Sequence, residues 1–452
     1  MIFFPINISN LFKNFLKSDI NKYFLFNVIW SVLSTIINKV LVLFSTILIA
    51  RFLGQNVYGE LAIIKSNTNL FVSFASLGLS LTATKYIAQY RINDKIKTAK
   101  IIGLVNTITI IAVFLSTLIL FFSSDIFADY ILNIPHLSFE IKLSSLIVVF
   151  TTLTSLQVGI ISGFQNFKEI ARNTIKSGIL GFFFQLLLTY FCGLGGAIIG
   201  LVLSLFFFWI TNFISIKKII NKQYPNYIFS KYIFEEFNLL IRFSLPTFLI
   251  AIFMELSRWF SYRQMTNFKD GFREMAIFDV SYQWLVAISF IPAIISQVSL
   301  PLLSKTIDDK EVYSEIFFKN FKINLLISIL ICFFFCFFSA NILSLYGNEY
   351  MRSTDVFIYL VICSTIAAIN SSIWQITTSS GHMWINFYIN LFWCIILIIF
   401  VFIFSREMNL NATNLSISYL IAYLFQTILL LLYFFYYQKN VKIHFFKRKD
   451  II

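Results

Sequence analysis

The chain has 452 residues, of which 58% are hydrophobic and only 12% are charged, and its mean hydropathy is +0.82. A soluble protein of this length requires far more charge on its surface, so the composition excludes a water-soluble globular protein and indicates a membrane protein. The formal net charge of +14 resembles that of nucleic-acid-binding proteins. However, the basic residues cluster in short segments between apolar runs, which is typical of membrane orientation. We therefore predict no nucleic-acid partner.

Twelve apolar segments follow one another along the chain, and each is long enough to form a membrane-spanning helix. A hydrocarbon core of about 30 Å requires about 20 helical residues. We therefore predict an all-α polytopic membrane protein with twelve transmembrane helices. The predicted spans are residues 24–50, 58–89, 99–122, 141–163, 169–191, 195–217, 234–260, 275–303, 317–338, 353–379, 383–404 and 412–437.

Lysine and arginine residues are unevenly distributed between the two sides of the predicted bundle. Lys13, Lys17 and Lys22 precede the first apolar run, and no small-residue cleavage site follows it. This run is therefore predicted to be a span and not a cleavable signal peptide. With the N terminus in the cytoplasm, 24 of the 35 Lys and Arg residues fall in cytoplasmic segments and 8 on the opposite side. Cytoplasmic loops carry the excess of positive charge, so both termini are predicted to be cytoplasmic.

Two pairs of matching positions indicate an internal repeat. Glu60 and Glu274 open spans two and eight, and Gly163 and Gly381 close spans four and ten. Because six spans return the chain to its starting side, the repeat predicts two six-helix bundles related by a pseudo-twofold axis normal to the membrane. The predicted domains are an N-terminal bundle (1–220), a cytoplasmic linker (221–233), a C-terminal bundle (234–437) and a basic cytoplasmic tail (438–452).

Polar residues recur at helical spacing in the first two spans. Span one carries Asn38 and Lys39 near its middle. In span two the series is Lys65, Asn69, Ser73, Ser76, Ser80 and Thr84. Steps of three and four residues keep side chains on one face of a helix, so we predict a continuous polar stripe. A lysine at the bilayer centre costs about 2.5–3.5 kcal/mol on insertion scales, and Lys39 and Lys65 are therefore predicted to face a hydrated cavity.

Spans seven and eight, which are equivalent to spans one and two in the predicted repeat, also carry charged and polar residues. They are Arg242, Glu255, Arg258, Arg263, Asp279 and Tyr282. We predict that these four spans line a cleft between the bundles. Cations outnumber acids among the charged residues within the spans, and a partly dehydrated cationic cleft favours an anionic substrate such as a phosphate or pyrophosphate.

Other interpretations of these residues remain open. Lys65, Arg242 and Arg263 lie within reach of span ends, where long basic side chains extend to the membrane interface. Glu255 and Arg258 are three residues apart and are placed to form a structural ion pair. Serine and threonine stripes also serve helix packing. The five cysteines and three histidines show no metal-ligand or catalytic spacing, so we predict no metal, no cofactor and no catalytic residue.

The stretch from residue 51 to residue 91 carries a pattern that resembles a known family. Its elements are Arg51, Leu53-Gly54, Tyr58-Gly59, Leu77-Gly78-Leu79 and Lys85-Tyr86-Ile87. The pattern resembles the bacterial polysaccharide biosynthesis proteins, which are O-antigen (Wzx-type) flippases of the multidrug/oligosaccharidyl-lipid/polysaccharide (MOP) exporter superfamily. The resemblance implies two six-helix bundles around a V-shaped cleft that alternates its opening between the two sides of the membrane.

The resemblance also implies a function and partners. The substrate would be an undecaprenyl-pyrophosphate-linked oligosaccharide repeat unit, of O-antigen or capsule type. The protein would move it from the inner to the outer leaflet of the bacterial cytoplasmic membrane. The resemblance supplies no residue-level assignment; on the charge argument above, the cleft cations would hold the pyrophosphate, and Glu255 or Asp279 would carry a coupling proton. Membrane lipids, a polysaccharide polymerase and a chain-length regulator are the expected partners.

Four other functions remain open on the sequence alone. An ion-coupled drug exporter of the same superfamily is expected to place carboxylates in the cleft, where this chain has more cations. An exporter of the peptidoglycan precursor is expected to have a longer chain. A membrane enzyme is expected to carry catalytic residues in a large outer loop, and no such loop is predicted here. The fourth is a scaffold that takes part in polysaccharide assembly without transporting anything.

Overall fold

A computed structural model describes residues 19–223, 237–305, 309–379, 383–407 and 410–441, and this part of the chain is helical and contains no strand. The main helices are α1 Asp19–Ser76, α2 Leu79–Tyr90, α3 Lys95–Phe122, α4 Ser138–Gly163, α5 Phe167–Gln223, α6 Phe237–Met265, α7 Gly271–Ile288, α8 Phe290–Lys305, α9 Lys310–Phe337, α10 Ser339–Ser344, α11 Thr354–Ser379, α12 Met383–Glu407 and α13 Ala412–Val441. Short helical turns occupy 124–137 and 348–353. Most of the predicted linker 221–233 and of the predicted tail 438–452 lies outside the described residues.

Helices α1 and α5 are too long to be single membrane spans. They contain 58 and 57 residues, and a straight helix of that length would extend roughly 85 Å, nearly three times the hydrocarbon core. Each has one glycine with non-helical backbone, Gly54 (φ 71°, ψ 170°) in α1 and Gly193 (φ 56°, ψ −133°) in α5. Residues with a side chain rarely adopt such positive φ values. The glycines therefore divide α1 and α5 into two spans each.

The described helices supply the twelve predicted crossings. Nine segments of the described chain are long and apolar enough to cross a membrane. Two of them, Val32–Tyr90 and Phe167–Ile220, contain the glycine divisions and provide two crossings each. α6 is not among the nine, but its 29 residues are long enough to span. The predicted all-α polytopic fold is confirmed.

Two predicted spans are broken helices. α1 ends at Ser76, and the next two residues, Leu77 and Gly78, have φ values of 46° and 66° before α2 begins. Span eight is divided between α7 and α8 at Ser289. The spans predicted over 58–89 and 275–303 are therefore each interrupted by a break in the helix. In span two the cause is the left-handed backbone of both residues, which interrupts a right-handed helix.

Apolar packing joins the two bundles at one end of the molecule. The largest cluster of buried apolar residues combines side chains of both bundles, including Tyr58 from α1 and Phe278 from α7. Two further clusters each belong to a single bundle, one around Ile102 and the other around Phe317. We call the end that carries the α1 division at Gly54 the closed end, because the shared cluster lies there.

Contacts to backbone carbonyl oxygens also hold the closed end together. A Cβ atom placed on Gly59 would lie 1.9 Å from the carbonyl oxygen of Phe272, so only glycine allows α1 and α7 to approach this closely. The guanidinium of Arg51 donates a hydrogen bond of 3.2 Å to the carbonyl oxygen of Ser344. These contacts cross the boundary between the bundles and place the motif around Tyr58-Gly59 at their junction.

Candidate substrate cavity

A cavity of about 690 Å³ lies between the two bundles, on the inner side of the closed end. Its wall is formed by both segments of α1, by α5, α6 and α7, and by one residue of α4. Residues on both sides of the Gly54 division contribute, which shows that the two segments of α1 run side by side. Of the predicted site residues, the cavity is lined by Asn38, Lys39, Lys65, Asn69, Arg258, Asp279 and Tyr282.

Asp279 is the centre of a hydrogen-bond network at the closed end of this cavity. Its carboxylate accepts hydrogen bonds from the hydroxyl of Tyr58 (3.0 Å), the hydroxyl of Tyr262 (3.0 Å) and the amide of Gln283 (2.8 Å). Gln283 also accepts a bond of 2.7 Å from the hydroxyl of Thr46. Hydrogen bonds to a carboxylate are roughly twice as strong as neutral ones. The network therefore ties spans one, two, seven and eight together through one charged group.

Lys65 lies close to this network without forming a salt bridge to it. Its ammonium group is 5.9 Å from the centre of the Tyr58 ring. It is also near enough to Asp279 for the two charges to interact, although no direct ion pair joins them among the described residues. The lysine thus offers hydrogen-bond donors to the cavity while remaining partly balanced by the carboxylate.

Arg258 is held in place by groups of its own bundle. Its guanidinium donates a hydrogen bond to the carboxylate of Glu255, and the two side chains form an i,i+3 ion pair. The guanidinium also lies 5.6 Å from the centre of the Tyr282 ring, which favours a cation through the charge distribution of the ring. The ion pair expected from the three-residue spacing of Glu255 and Arg258 is therefore present. Arg258 also lines the cavity.

Lys39 is the cation with fewest partners in the cavity wall. It forms no ion pair with any residue in the described ranges. Asn38 and Thr35 line the cavity beside it on α1. An unpaired ammonium in a polar, partly dehydrated site attracts anions more strongly than one that is already neutralised. Lys39 therefore gives this side of the cavity a positive charge.

Three predicted site residues do not line the cavity as the structure describes it. Arg263 donates a hydrogen bond of 3.0 Å from Nε to the carbonyl oxygen of Ile131, so it links the bundles at the closed end. Ser73 is buried and donates to the carbonyl oxygen of Leu70 in its own helix. Glu255 does not line the cavity, but it forms an ion pair with Arg258, which does. The side chain of Arg242 is outside the described set.

The predicted polar stripe of span two is divided between two surroundings. Lys65 and Asn69 face the cavity. Beyond the break after Ser76, the hydroxyl of Ser80 donates to the carbonyl oxygen of Ser155, and that of Thr84 to the carbonyl oxygen of Gly159. This second part packs against α4. The prediction of one continuous water-facing stripe is therefore wrong, because the broken helix changes direction at this point.

Several contributions to the cavity and its closed end were not predicted from the sequence. Tyr58 and Tyr262 donate to Asp279, but a single tyrosine in an apolar helix carries no signal of such a role. The first span of α5 contributes Thr174, Ser177 and Gln185. These three residues follow helical spacing, so the pattern used for span two would have found them.

Comparisons with known proteins agree with this architecture. The model of the family described as "Polysaccharide biosynthesis protein" matches residues 24–307, which is more than half of the chain and includes every residue that lines the cavity. The EPS I polysaccharide export inner membrane protein EpsE of Ralstonia solanacearum is 23% identical over 202 residues. That match covers 43% of this chain and 46% of the relative, so the chain spans less than half the length of that protein.

Solved structures show the same fold at low sequence identity. The lipid II flippase MurJ in an inward closed conformation has a TM-score of 0.72 and 16% identity, with coverage of 92% of this chain and 91% of that chain. A multidrug resistance MATE family transporter of the MOP superfamily, in an inward-facing conformation, has a TM-score of 0.69 and 14% identity, with coverage of 90% and 94%. With the family match over residues 24–307, these likenesses identify the chain as a member of the polysaccharide biosynthesis protein family, with the fold of the MOP exporter superfamily.

Proposed function

We propose that the chain is a flippase that moves an undecaprenyl-pyrophosphate-linked oligosaccharide repeat unit, of O-antigen or capsule type, across the bacterial cytoplasmic membrane. The observation that carries this proposal is the cavity between the bundles, into which Lys39 and Lys65 point without forming an ion pair to any described carboxylate. The family membership and the export role named for the Ralstonia relative support the same class of substrate.

In this proposal, charged and neutral residues of the cavity bind different parts of such a substrate. Lys39, Lys65 and Arg258 supply charged donors for a pyrophosphate, whose oxygens accept several hydrogen bonds at once. Asn38, Asn69 and the polar residues of α5 supply neutral donors and acceptors of the kind that bind sugar hydroxyls. The volume of about 690 Å³ is within the range of small-molecule sites, roughly 300–1,000 Å³. It fits the pyrophosphate and the first sugars, while the polyprenyl tail remains in lipid.

Alternating access is the mechanism we propose for this movement. The shared apolar cluster and the Asp279 network close one end of the cavity, while each bundle has its own cluster elsewhere. In this proposal the described state receives the substrate, and rupture of the closed-end contacts then exposes the cavity to the other side. The domains predicted from the repeat, residues 1–220 and 234–437, would move as the two rigid units.

Asp279 is the group we propose for ion coupling. It lines the cavity and accepts three hydrogen bonds that join the bundles. Protonation would replace a charged acceptor by a weaker neutral one and would loosen the closed end. Glu255 is the second candidate for ion coupling. Its carboxylate already forms an ion pair with Arg258, so in this proposal its main role is to hold that guanidinium in place.

An ion-coupled exporter of drugs or other small molecules is the alternative, and the likeness in fold to the MATE transporter favours it. The two functions differ in the charge of the substrate. A cavity wall with Lys39, Lys65 and Arg258 and the single carboxylate of Asp279 favours an anion. Neither function involves making or breaking a covalent bond, and we propose that the protein is a transporter and not an enzyme.

Reconstituted vesicles provide the test. The purified protein in liposomes is expected to move a fluorescent polyprenyl-pyrophosphate oligosaccharide between leaflets without ATP, measured as loss of accessibility to a membrane-impermeant quencher. A cationic dye in the same vesicles tests the alternative. Movement of the dye without movement of the oligosaccharide would replace the flippase by the exporter. If correctly folded protein in the vesicles moved neither substrate, the result would argue for a scaffold.

A further inference from the structure

A second cavity, of about 700 Å³, lies at the closed end and shares no residue with the central one. Its wall consists of 53–57 at the division of α1, Arg273 at the start of α7, and Asn348, Glu349 and Arg352 of the short turn before α11. The first of these segments belongs to the N-terminal bundle and the others to the C-terminal bundle. This pocket, which we call the closed-end pocket, therefore bridges the two bundles.

The closed-end pocket is lined by two arginines and one carboxylate, that of Glu349, so its wall has a net positive charge. Arg273 and Arg352 are both exposed to solvent. Neither forms an ion pair with Glu349 or with another carboxylate in the described part of the chain. The guanidinium group presents several donors in a fixed plane that matches the oxygens of phosphate groups. The two side chains are thus free to bind an anion that enters from the solvent.

Gln55 provides an independent sign of a ligand in this pocket. The side chain is only 5% exposed, and its Nε2 donates no hydrogen bond to any described residue. A buried donor without an acceptor is unfavourable, and such groups are commonly satisfied by a water molecule or a ligand. Gln55 sits immediately after Gly54, whose backbone turns the chain and sets this amide into the pocket wall.

We propose that the closed-end pocket binds a phosphate-type anion and that the bound anion holds the two bundles together. Donors converge on it from three elements, namely the division of α1, the first turn of α7 and the turn at 348–353. A phosphate group has enough acceptor oxygens to bond all three, whereas a carboxylate has only two oxygens. An anion bound to Gln55 on one side and to Arg273 on the other is released when the bundles separate. The pocket then acts as an anion-dependent lock on the closed state.

This inference does not depend on the proposed function, because it concerns binding to the protein at rest. The test uses purified full-length protein in detergent and measures the midpoint of thermal unfolding as inorganic pyrophosphate is added at constant ionic strength. A ligand that binds only the folded state raises this midpoint in a saturable manner. The double variant R273Q/R352Q is expected to weaken the apparent affinity by about tenfold or more, through loss of the charged donors. Gln55→Leu is expected to weaken it less.

Three controls separate this site from other effects. Arg406→Gln removes another exposed arginine that does not line the pocket, and it is expected to leave the shift unchanged. Lys39→Ala removes a cation of the central cavity, where pyrophosphate is also proposed to bind, so the part of the shift that depends on Arg273 and Arg352 should persist in this variant. Sucrose, a neutral cosolute that is excluded from protein surfaces, in place of pyrophosphate controls for general stabilisation.

The source of the anion is distinguished by a second titration with a short-chain polyprenyl pyrophosphate. A shift with inorganic pyrophosphate that R273Q/R352Q weakens assigns the pocket to a free anion. A shift with the polyprenyl form alone assigns it to a lipid headgroup, and both results support the proposal. No saturable shift with either form would overturn it. A shift that survives in R273Q/R352Q and Gln55→Leu but disappears in Lys39→Ala would also overturn it, since the anion would then occupy the central cavity.

Discussion

The hydroxyl of Tyr58 donates a hydrogen bond of 3.0 Å to the carboxylate of Asp279, across the boundary between the two bundles. Tyr58 begins the second segment of α1, and Asp279 lies in α7. Gln283 donates to both residues and closes a small ring of hydrogen bonds. One carboxylate thus joins the bundles at the point where the cavity ends, so we expect a change in its charge to affect both the proposed substrate cavity and the closure.

Asp279→Asn is expected to loosen the closed end. The amide oxygen accepts more weakly than a carboxylate, and the amide nitrogen faces groups that are themselves donors. We expect a loss of about 1–3 kcal/mol in the free energy of unfolding. Thermal unfolding measures this loss. Labelling of a cysteine introduced at Met275, a fully buried position of the shared cluster, measures the opening.

Glu255→Gln and Tyr58→Phe are the matched controls for Asp279. Glu255→Gln removes a carboxylate of the same region that contacts Arg258 but does not join the bundles, and labelling at position 275 should not increase. Tyr58→Phe removes only one of the three donors to Asp279, so its effect should be smaller. Equal labelling in the parent protein and in Asp279→Asn would contradict a role of this network in closure.

Lys39→Ala is expected to reduce oligosaccharide movement in vesicles by about tenfold or more, while the protein still inserts and folds. A charged hydrogen bond contributes about 1.5–3 kcal/mol, and each 1.4 kcal/mol corresponds to a factor of ten. Lys39→Arg keeps the charge and should retain most of the activity. Lys142→Ala removes a lysine that lies 4.5 Å from the centre of the Phe121 ring, away from the cavity, and should be neutral. Unchanged movement in Lys39→Ala would remove this residue from the mechanism.

Gly59→Ala is expected to force the bundles apart at the closed end. The added methyl group would lie 1.9 Å from the backbone oxygen of Phe272, where no side chain can move aside. Overpacking of this kind typically costs about 1–3 kcal/mol. Thermal unfolding and labelling at Met275 measure the effect.

Gly195→Ala is the control for Gly59, because a Cβ atom at position 195 meets no atom within 4 Å and the residue has no positive φ. This variant should be neutral or slightly stabilising, since alanine favours helix. If the two alanine variants were equally stable and equally closed, the close approach of Gly59 and Phe272 would not matter for the closed state.

The sequence was sufficient to predict the spans and several residues of the cavity wall. Hydropathy identifies the twelve crossings because lipid is the solvent for most of the chain. The cost of an ionised group in lipid then requires Lys39 and Lys65 to face a polar space, and both line the cavity. These are local or compositional properties of the sequence. They can therefore be recognised without knowing which segments contact one another in the folded protein.

The remaining features depend on contacts between distant segments. The acceptor of Arg263 is a backbone carbonyl in another bundle, at Ile131, which no spacing rule indicates. Leu77 adopts a left-handed backbone conformation, which its residue type does not predict. Tyr58 and Tyr262 become important only because packing brings both hydroxyls to one carboxylate. Such roles follow from the fold and could not be read from the residues alone.

The orientation of the protein in the membrane can be tested with reporter fusions. The excess of lysine and arginine in alternate segments predicts that the closed end faces the outside and that both termini are cytoplasmic. A reporter that is active only in the cytoplasm, fused after Ile452, should therefore be active. The same reporter inserted in the turn after Met265, which lies at the closed end, should be silent. The reverse pattern would place the closed-end pocket in the cytoplasm and would reverse the side from which the cavity accepts its substrate.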